Sequence, residues 1–292
     1  MVREFLGNIG TAVERACFGV AGPVVDHRAY ITNLPWVIDA AVIQSEFKLS
    51  EVTLLNDLES VAYAIPILTK DDIHTLSEGV SVHGGCIAVL APGTGLGEGF
   101  LTYEHGAYCA QASEGGHVSF GPVGPLQVGL LSYMYELGHK HVSYERVCSG
   151  GLGILNLYNY LKTTGLEEPN WLVEKLRACE DPTPVIFTAA HDSAQPSKLA
   201  SATVEQFVSI LGSEAGNLAL KILSTGGIYL GGGIPPRIIS SLQRPEFLEA
   251  LRNKGRFRQL LTAIPVHVIL NPKAGLLGVA AFGLTGAGPC KE

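Results

Sequence analysis

Apolar positions along this chain fall in two rhythms. Short unbroken apolar runs read as buried strands, and longer stretches with apolar residues every three or four positions read as helices packed on them. Predicted strands are Cys17-Phe-Gly-Val-Ala21, Glu51 to Leu55, Cys86-Ile-Ala-Val-Leu-Ala91, Ile228-Tyr-Leu230 and Val266 to Leu270. A hairpin is predicted at Val24-Val25 and Ala29 to Thr32, turning at Asp26-His27. A second strand, Gly99 to Tyr103, returns after the glycine-rich turn at 93–97. The clearest helix runs from Val204 to Ser224, with Phe207, Ile210, Leu211, Leu218 and Ile222 on one face, and Thr225-Gly226-Gly227 ends it. Other helices are predicted at 4–16, Ile38 to Phe47, Leu58 to Ile65 (stopped by Pro66), 126–137, 143–160 and 169–179. The helix at 143–160 is interrupted at Ser149-Gly-Gly-Leu-Gly153, and a last helix starts at Gly275. The sum is an α/β chain with hairpins as well as crossover units.

Composition narrows the class. The chain has 292 residues, 47% hydrophobic and only 16% charged, with 35 glycines. That is enough apolar material for one large core or two modest ones. The net charge of −7 and the lack of a long basic run argue against nucleic acid or an anionic membrane as partner. No apolar stretch reaches the length of a membrane span, and the first residues lack a signal pattern, so a cytoplasmic protein is expected. Six cysteines are scattered with no paired spacing, which reads as reduced thiols.

Candidate chemistry sits at five places. Asn56-Asp57 ends a predicted strand, where open α/β sheets place ligands. A carboxylate there can take a proton from a hydroxyl, and the amide can bind a neighbouring hydroxyl. Taken alone, the pair reads first as a helix cap. Gly93-Thr-Gly-Leu-Gly97 is glycine-rich, but Glu98 stands where a dinucleotide fingerprint needs glycine, and no lysine completes a phosphate loop. A strand–turn–strand can still offer backbone N–H groups and the Thr94 hydroxyl to a phosphate; an ordinary hairpin competes. Glu114-Gly-Gly-His117 places a carboxylate and an imidazole in a tight backbone, suited to a polyol or to a plain turn. Glu145-Arg-Val147 adds a further carboxylate, and Gly231–Gly233 after a buried strand permits close approach by a nucleotide or makes a simple turn. His105, Cys109 and His117 lack any metal-ligand spacing, and no metal-ligating residue is assigned. His139 and His141 read as surface residues.

In order, these motifs resemble the bacterial-type glucokinase family of the hexokinase/actin-like superfamily. The resemblance runs from about Cys17 to Phe282 and includes Phe18-Gly-Val-Ala-Gly-Pro-Val24, Thr32-Asn-Leu-Pro-Trp36, Leu55-Asn-Asp57, Glu114-Gly-Gly-His-Val118, Leu230-Gly-Gly-Gly-Ile234 and Gly275-Leu-Leu-Gly278. It implies a two-lobed hexokinase/actin-like (ribonuclease H-like) α/β fold closing over a sugar, with residues 1–68 plus 271–292 as the smaller lobe and 69–270 as the larger. It implies ATP-dependent phosphorylation of glucose to glucose 6-phosphate, with Mg2+ and with Asp57 as base on the 6-hydroxyl. Asn56, Glu114, His117 and Glu145 would bind the other hydroxyls. Gly93, Thr94 and Gly95 would meet the ATP phosphates, and Gly231, Gly232 and Gly233 would line the nucleotide pocket. A homodimer is implied by the resemblance alone. The family also begins with a strand carrying Asp-x-Gly-Gly-Thr, and no such motif precedes Cys17. The expectation is therefore an incomplete N-terminal lobe, an open edge on the strand at 17–21, and a weak or purely sugar-binding protein as the alternative. A kinase or repressor of the related ROK family fits less well, because Val118-Ser-Phe-Gly-Pro122 holds no cysteine for that family's zinc motif.

Overall fold

The computed structural model describes residues 2–9, 12–31 and 34–285. Among them the chain opens with α1 (Val2–Ile9), β1 (Arg15–Val20), β2 (Val24–Val25), β3 (Arg28–Tyr30) and β4 (Val37–Asp39). It continues through α2 (Ala40–Phe47), β5 (Glu51–Asn56), α3 (Asp57–Ala64), β6 (Ile73–Ser77), β7 (Ile87–Pro92), β8 (Leu96–Glu104) and β9 (Ala107–Gln111). Helices α4 (Gly124–Glu136), α5 (Gly153–Thr163), α6 (Asn170–Ala178), α7 (Pro182–His191) and α8 (Lys198–Ile222) follow. The chain ends with β10 (Gly227–Leu230), α9 (Ile239–Leu242), α10 (Pro245–Arg252), α11 (Arg258–Ala263), β11 (Val266–Ile269) and α12 (Ala274–Thr285). The predicted helix at 4–16 and the predicted strand to Thr32 fall partly outside the described residues, as do Thr32 and Asn33 of the Thr32–Trp36 segment.

Two compact units emerge: Met1–Asp72 with Gly99–Ala112 and Asn271–Glu292, and Ile73–Glu98 with Ser113–Leu270. In the first, β1 lies parallel to β5, with Gly19 opposite Leu55 and Val20 opposite Asn56. This is a two-stranded sheet, and among the described residues β1 has no second strand beside it. Strands β2, β3 and β4 form an antiparallel meander, turned by Asp26 and His27 at φ of 50° and 60°. Val20, Ala29, Ala40, Leu49, Val52 and Leu54 make the core beneath it. Leu55, Val279 and Phe282 make a smaller one, where the Tyr63 and Phe282 rings stand 4.8 Å apart. Helix α12 packs along α3.

In the second unit the strand order is β6-β11-β10-β7 and then the start of β8. Strands β7, β10 and β11 are mutually parallel, which explains their unbroken apolar runs: both faces are covered. Strand β6 pairs antiparallel at the edge, with a register shift at Val266/His267. Helix α8, capped by the Ser197 hydroxyl, runs through the core against α5, α7 and α10. It ends at Leu223, which adopts a left-handed φ of 52°, three residues before the expected glycines. Residues 143–148, expected to be helical, form turns that pair with the segment after Glu114. Cys109 is disulfide-bonded, which corrects the expectation of a reduced thiol there; Cys86, Cys148 and Cys179 are free thiols.

Candidate active site

Local folding explains where the chemistry stands. Asn56 ends β5 and caps α3 in the first unit. Its Oδ1 accepts from the Glu59 N–H at 2.6 Å, while Glu59 Oε2 accepts from the Asn56 N–H at 2.9 Å. This reciprocal capping box is the plainer reading made visible. It occupies the amide's only oxygen and leaves its NH2 group free to donate. Asp57 begins the helix, is exposed, and accepts from the Leu58 N–H at 2.9 Å through Oδ1. A carboxylate remains presented at the C-terminal end of a parallel strand.

The second unit gathers Glu114, His117 and Glu145. The first two bracket one turn of 3-10 helix, Gly115–His117. The turn lies on the first residues of β8 through a bridge between Glu98 and Glu114. A Cβ on Gly116 would overlap the Leu96 carbonyl, and one on Gly115 would strike the Glu98 carboxylate, so no other residue fits the pair without displacement. From Gly116 the chain runs antiparallel to residues 142–145. Phe120 N–H donates to the Val142 carbonyl at 2.8 Å, Tyr144 N–H to Val118 at 3.2 Å and Glu145 N–H to Gly116 at 2.9 Å. That zipper carries Glu145 to His117 from far along the chain. His117 Nε2 is 3.8 Å from Glu114 Oε2, and Nδ1 is 4.0 Å from Glu145 Oε1. These separations are too long for hydrogen bonds. They leave a ring flanked by two carboxylates, with Glu114 and His117 open to solvent, ready for ligand hydroxyls. Glu145 Oε2 also accepts from the Leu96 N–H at 3.3 Å. His141, read from the sequence as a surface residue, is exposed but donates from Nε2 to the His117 carbonyl at 2.8 Å. No sequence spacing marks it.

A cleft of about 820 Å³ opens in the same unit. Gly93, Thr94, Gly150, Gly151 and Gly233 form glycine-rich walls, and α7 with Arg237 forms the rest. The Gly150 N–H donates to Gly93 O at 2.8 Å and the Gly151 N–H to Thr94 O at 2.9 Å, tying the two turns together. Thr183 Oγ1 donates to Gly150 O at 2.5 Å, and His191 is fixed at both nitrogens, by Phe187 O and Ser241 Oγ, each at 2.8 Å. Of the glycines singled out by sequence, Gly95, Gly231 and Gly232 are not among the lining residues. Gly95 instead faces Glu145, and Gly231 N–H donates to Leu90 O at 2.8 Å. Sequence reading missed α7. Its signal was Asp181-Pro182, an N-cap followed by proline at the first helical position.

Beneath the carboxylate–imidazole turn lies a polar network. Glu214, fully buried, accepts from Asn217 Nδ2 at 2.8 Å and from Lys221 Nζ at 3.4 Å. Asn217 Oδ1 accepts from Lys254 Nζ at 2.6 Å, and Lys254 also reaches Ser213 Oγ at 3.2 Å. Burial pushes the Glu98 carboxyl up to about 8, helped by the Glu214 carboxylate and opposed by Lys221. Burial raises the Tyr144 phenol, with Glu214 adding to it, and lowers Lys254.

A family model described as Glucokinase matches residues 1–285. The glucokinase of Trichormus variabilis is 40% identical over 298 residues, which cover 96% of this chain and 85% of that protein. The crystal structure of glucokinase from an Antarctic psychrotroph aligns with a TM-score of 0.84 at 31% identity, covering 98% of this chain and 85% of the other. Glucokinase from Balamuthia mandrillaris in complex with glucose shares the fold, with a TM-score of 0.73 at 22% identity over 98% of this chain and 80% of its own. The fold is thus the α/β fold of the sugar kinases these structures represent. Within that class, the chain belongs to the glucokinase family.

Proposed function

We propose that the chain transfers the terminal phosphoryl group of ATP to the 6-hydroxyl of glucose, with Asp57 as the base. The observation that carries this reading is His117 flanked by Glu114 and Glu145 at 3.8 and 4.0 Å, in the unit that also holds the glycine-walled cleft. Two carboxylate acceptors and an imidazole suit adjacent sugar hydroxyls. A sugar lacking one of those hydroxyls would leave a polar group unpaired, so the set discriminates. Sequence identity to the Trichormus variabilis glucokinase supports the choice of glucose.

The cleft has the size expected for a nucleotide site. Thr94 and the glycines at 93, 150, 151 and 233 would approach the phosphates closely, and Arg237 would add positive charge. Among the described residues no cluster of His, Cys, Asp or Glu is suited to hold a metal. Mg2+, held largely by the phosphates and water, would supply charge neutralisation when bound. Asp57 would accept the 6-hydroxyl proton as the oxygen attacks phosphorus, and Asn56, through the part of its amide not used in capping, would bind a neighbouring hydroxyl.

The test is calorimetric titration of glucose into the chain and its Glu114→Gln variant. Loss of one charge-assisted hydrogen bond predicts affinity weaker by about tenfold or more. Equal dissociation constants would remove Glu114 from the site. Glucose binding without turnover would instead favour a sugar-binding role.

A further inference from the structure

Glu98 is an acidic side chain packed directly under the Glu114–His117 turn, and the proposed reaction gives it nothing to do. It is 1% exposed, and its Oε1 is buried without a hydrogen-bond partner among the described residues. Its backbone pairs with Glu114. A Cβ added to Gly115 would lie 3.0 Å from Glu98 Cβ and closer still to Oε2, so the carboxyl is the surface on which the turn rests. We propose that Glu98 is a positioning residue, its buried carboxyl holding Glu114 and His117 in register from beneath. This rests on the reading that Glu114, His117 and Glu145 bind glucose.

Burial and the charges around it keep that carboxyl protonated. Glu214 and Lys221 face it from α8, with Glu214 raising it and Lys221 opposing. Tyr144 and Cys148, on the segment that zips to the turn, would feel its charge once it ionises, and Glu114 lies beside it on the turn itself. Lys254 stands beyond, bound to Asn217. Glu98 titrates near 8, so above that pH a second buried carboxylate appears beside Glu214. The network must then shift, and the turn resting on it shifts too. Glu98 supports the turn that carries two proposed sugar ligands and has no part in the proposed proton transfer, so the effect should fall on glucose binding rather than on the phosphoryl step.

The experiment compares the wild type with Glu98→Gln, Glu98→Val and Glu114→Gln at pH 7 and pH 9. It reads the glucose dissociation constant, the KM for glucose and kcat. At pH 7, Glu98→Val should weaken glucose binding by about tenfold, the order of loss when a binding group is displaced, with kcat nearly unchanged. Glu98→Gln, which keeps shape and neutrality, should bind as the wild type does at pH 7. At pH 9 the wild type should have weakened relative to Glu98→Gln. Wild-type affinity in Glu98→Val alongside a weakened Glu114→Gln would overturn the positioning role while leaving the sugar site intact. A kcat loss without a change in glucose affinity would overturn it as well. Unchanged binding in Glu114→Gln would overturn the sugar-site reading itself.

Discussion

Single residues here carry two duties at once. Asn56 is both the cap of α3 and a proposed sugar ligand, and the two can be separated. Asn56→Asp keeps an oxygen for the Glu59 N–H and should hold stability, whereas Asn56→Ala should cost about 1 kcal/mol in denaturant unfolding. Weaker glucose binding in Asn56→Asp at unchanged stability would mark the second duty. Glu98 offers a pH test of its burial. Its carboxyl keeps the proton up to about 8 when folded, against an ordinary value of 4.5. The folded chain therefore holds the extra proton between those values, and Glu98's contribution to stability falls as pH rises through that window and is level above it. Glu98→Gln removes this loss. Its stability relative to the wild type should rise by roughly 1.4 kcal/mol per pH unit across the window. A constant difference between pH 5 and pH 8 would contradict the assignment. At this scale the sequence was informative wherever motif and backbone coincide, as at Glu114 and His117. It was silent on Glu98, which it used only to reject a dinucleotide fingerprint, and on His141, because each works through a neighbour distant along the chain or hidden beneath it.

Elements were legible where the apolar pattern was long or wholly buried. Helix α8 and strands β5, β7, β10 and β11 follow the pattern closely; β7, β10 and β11 are almost wholly buried, while α8 is long enough for its periodicity to stand out. Residues 143–148 were misread because Val142, Tyr144, Val147 and Cys148 mimic a helical spacing while serving a buried turn. Strands β6 and β9 went unread because each is only 5 residues long and mixed in polarity. Helix α7 was hidden by Pro182 and Pro184, which look like breakers but sit in the first turn, where proline is tolerated. The end of α8 gives a prediction at this scale. Leu223 holds a left-handed conformation while 55% exposed, so its side chain loses little if removed. Leu223→Gly should stabilise the chain by up to about 1 kcal/mol, seen as a higher melting temperature. A lower melting temperature would mean that the leucine packs more than its exposure implies.

Over the whole molecule, family membership followed from the order of motifs rather than from any one of them. The α/β character was visible in the alternation of runs and periodic stretches. The assignment of Gly99–Ala112 to the first unit was not, because the division falls inside the unbroken strand β8. No composition change marks such a boundary. The carboxylate–imidazole cluster and the glycine-walled cleft both come from the second unit, with residues spread from Gly93 to Ser240. Asp57, the proposed base, comes from the first. The account as a whole therefore stands on Asp57 acting chemically rather than as a helix-end residue. The most direct measurement is glucose-dependent ADP production by the purified chain with ATP and Mg2+, beside its Asp57→Asn variant. The account predicts turnover in the chain, turnover lost in the variant, and a glucose dissociation constant nearly unchanged between them. Equal turnover in both, or none from the folded chain, would contradict it.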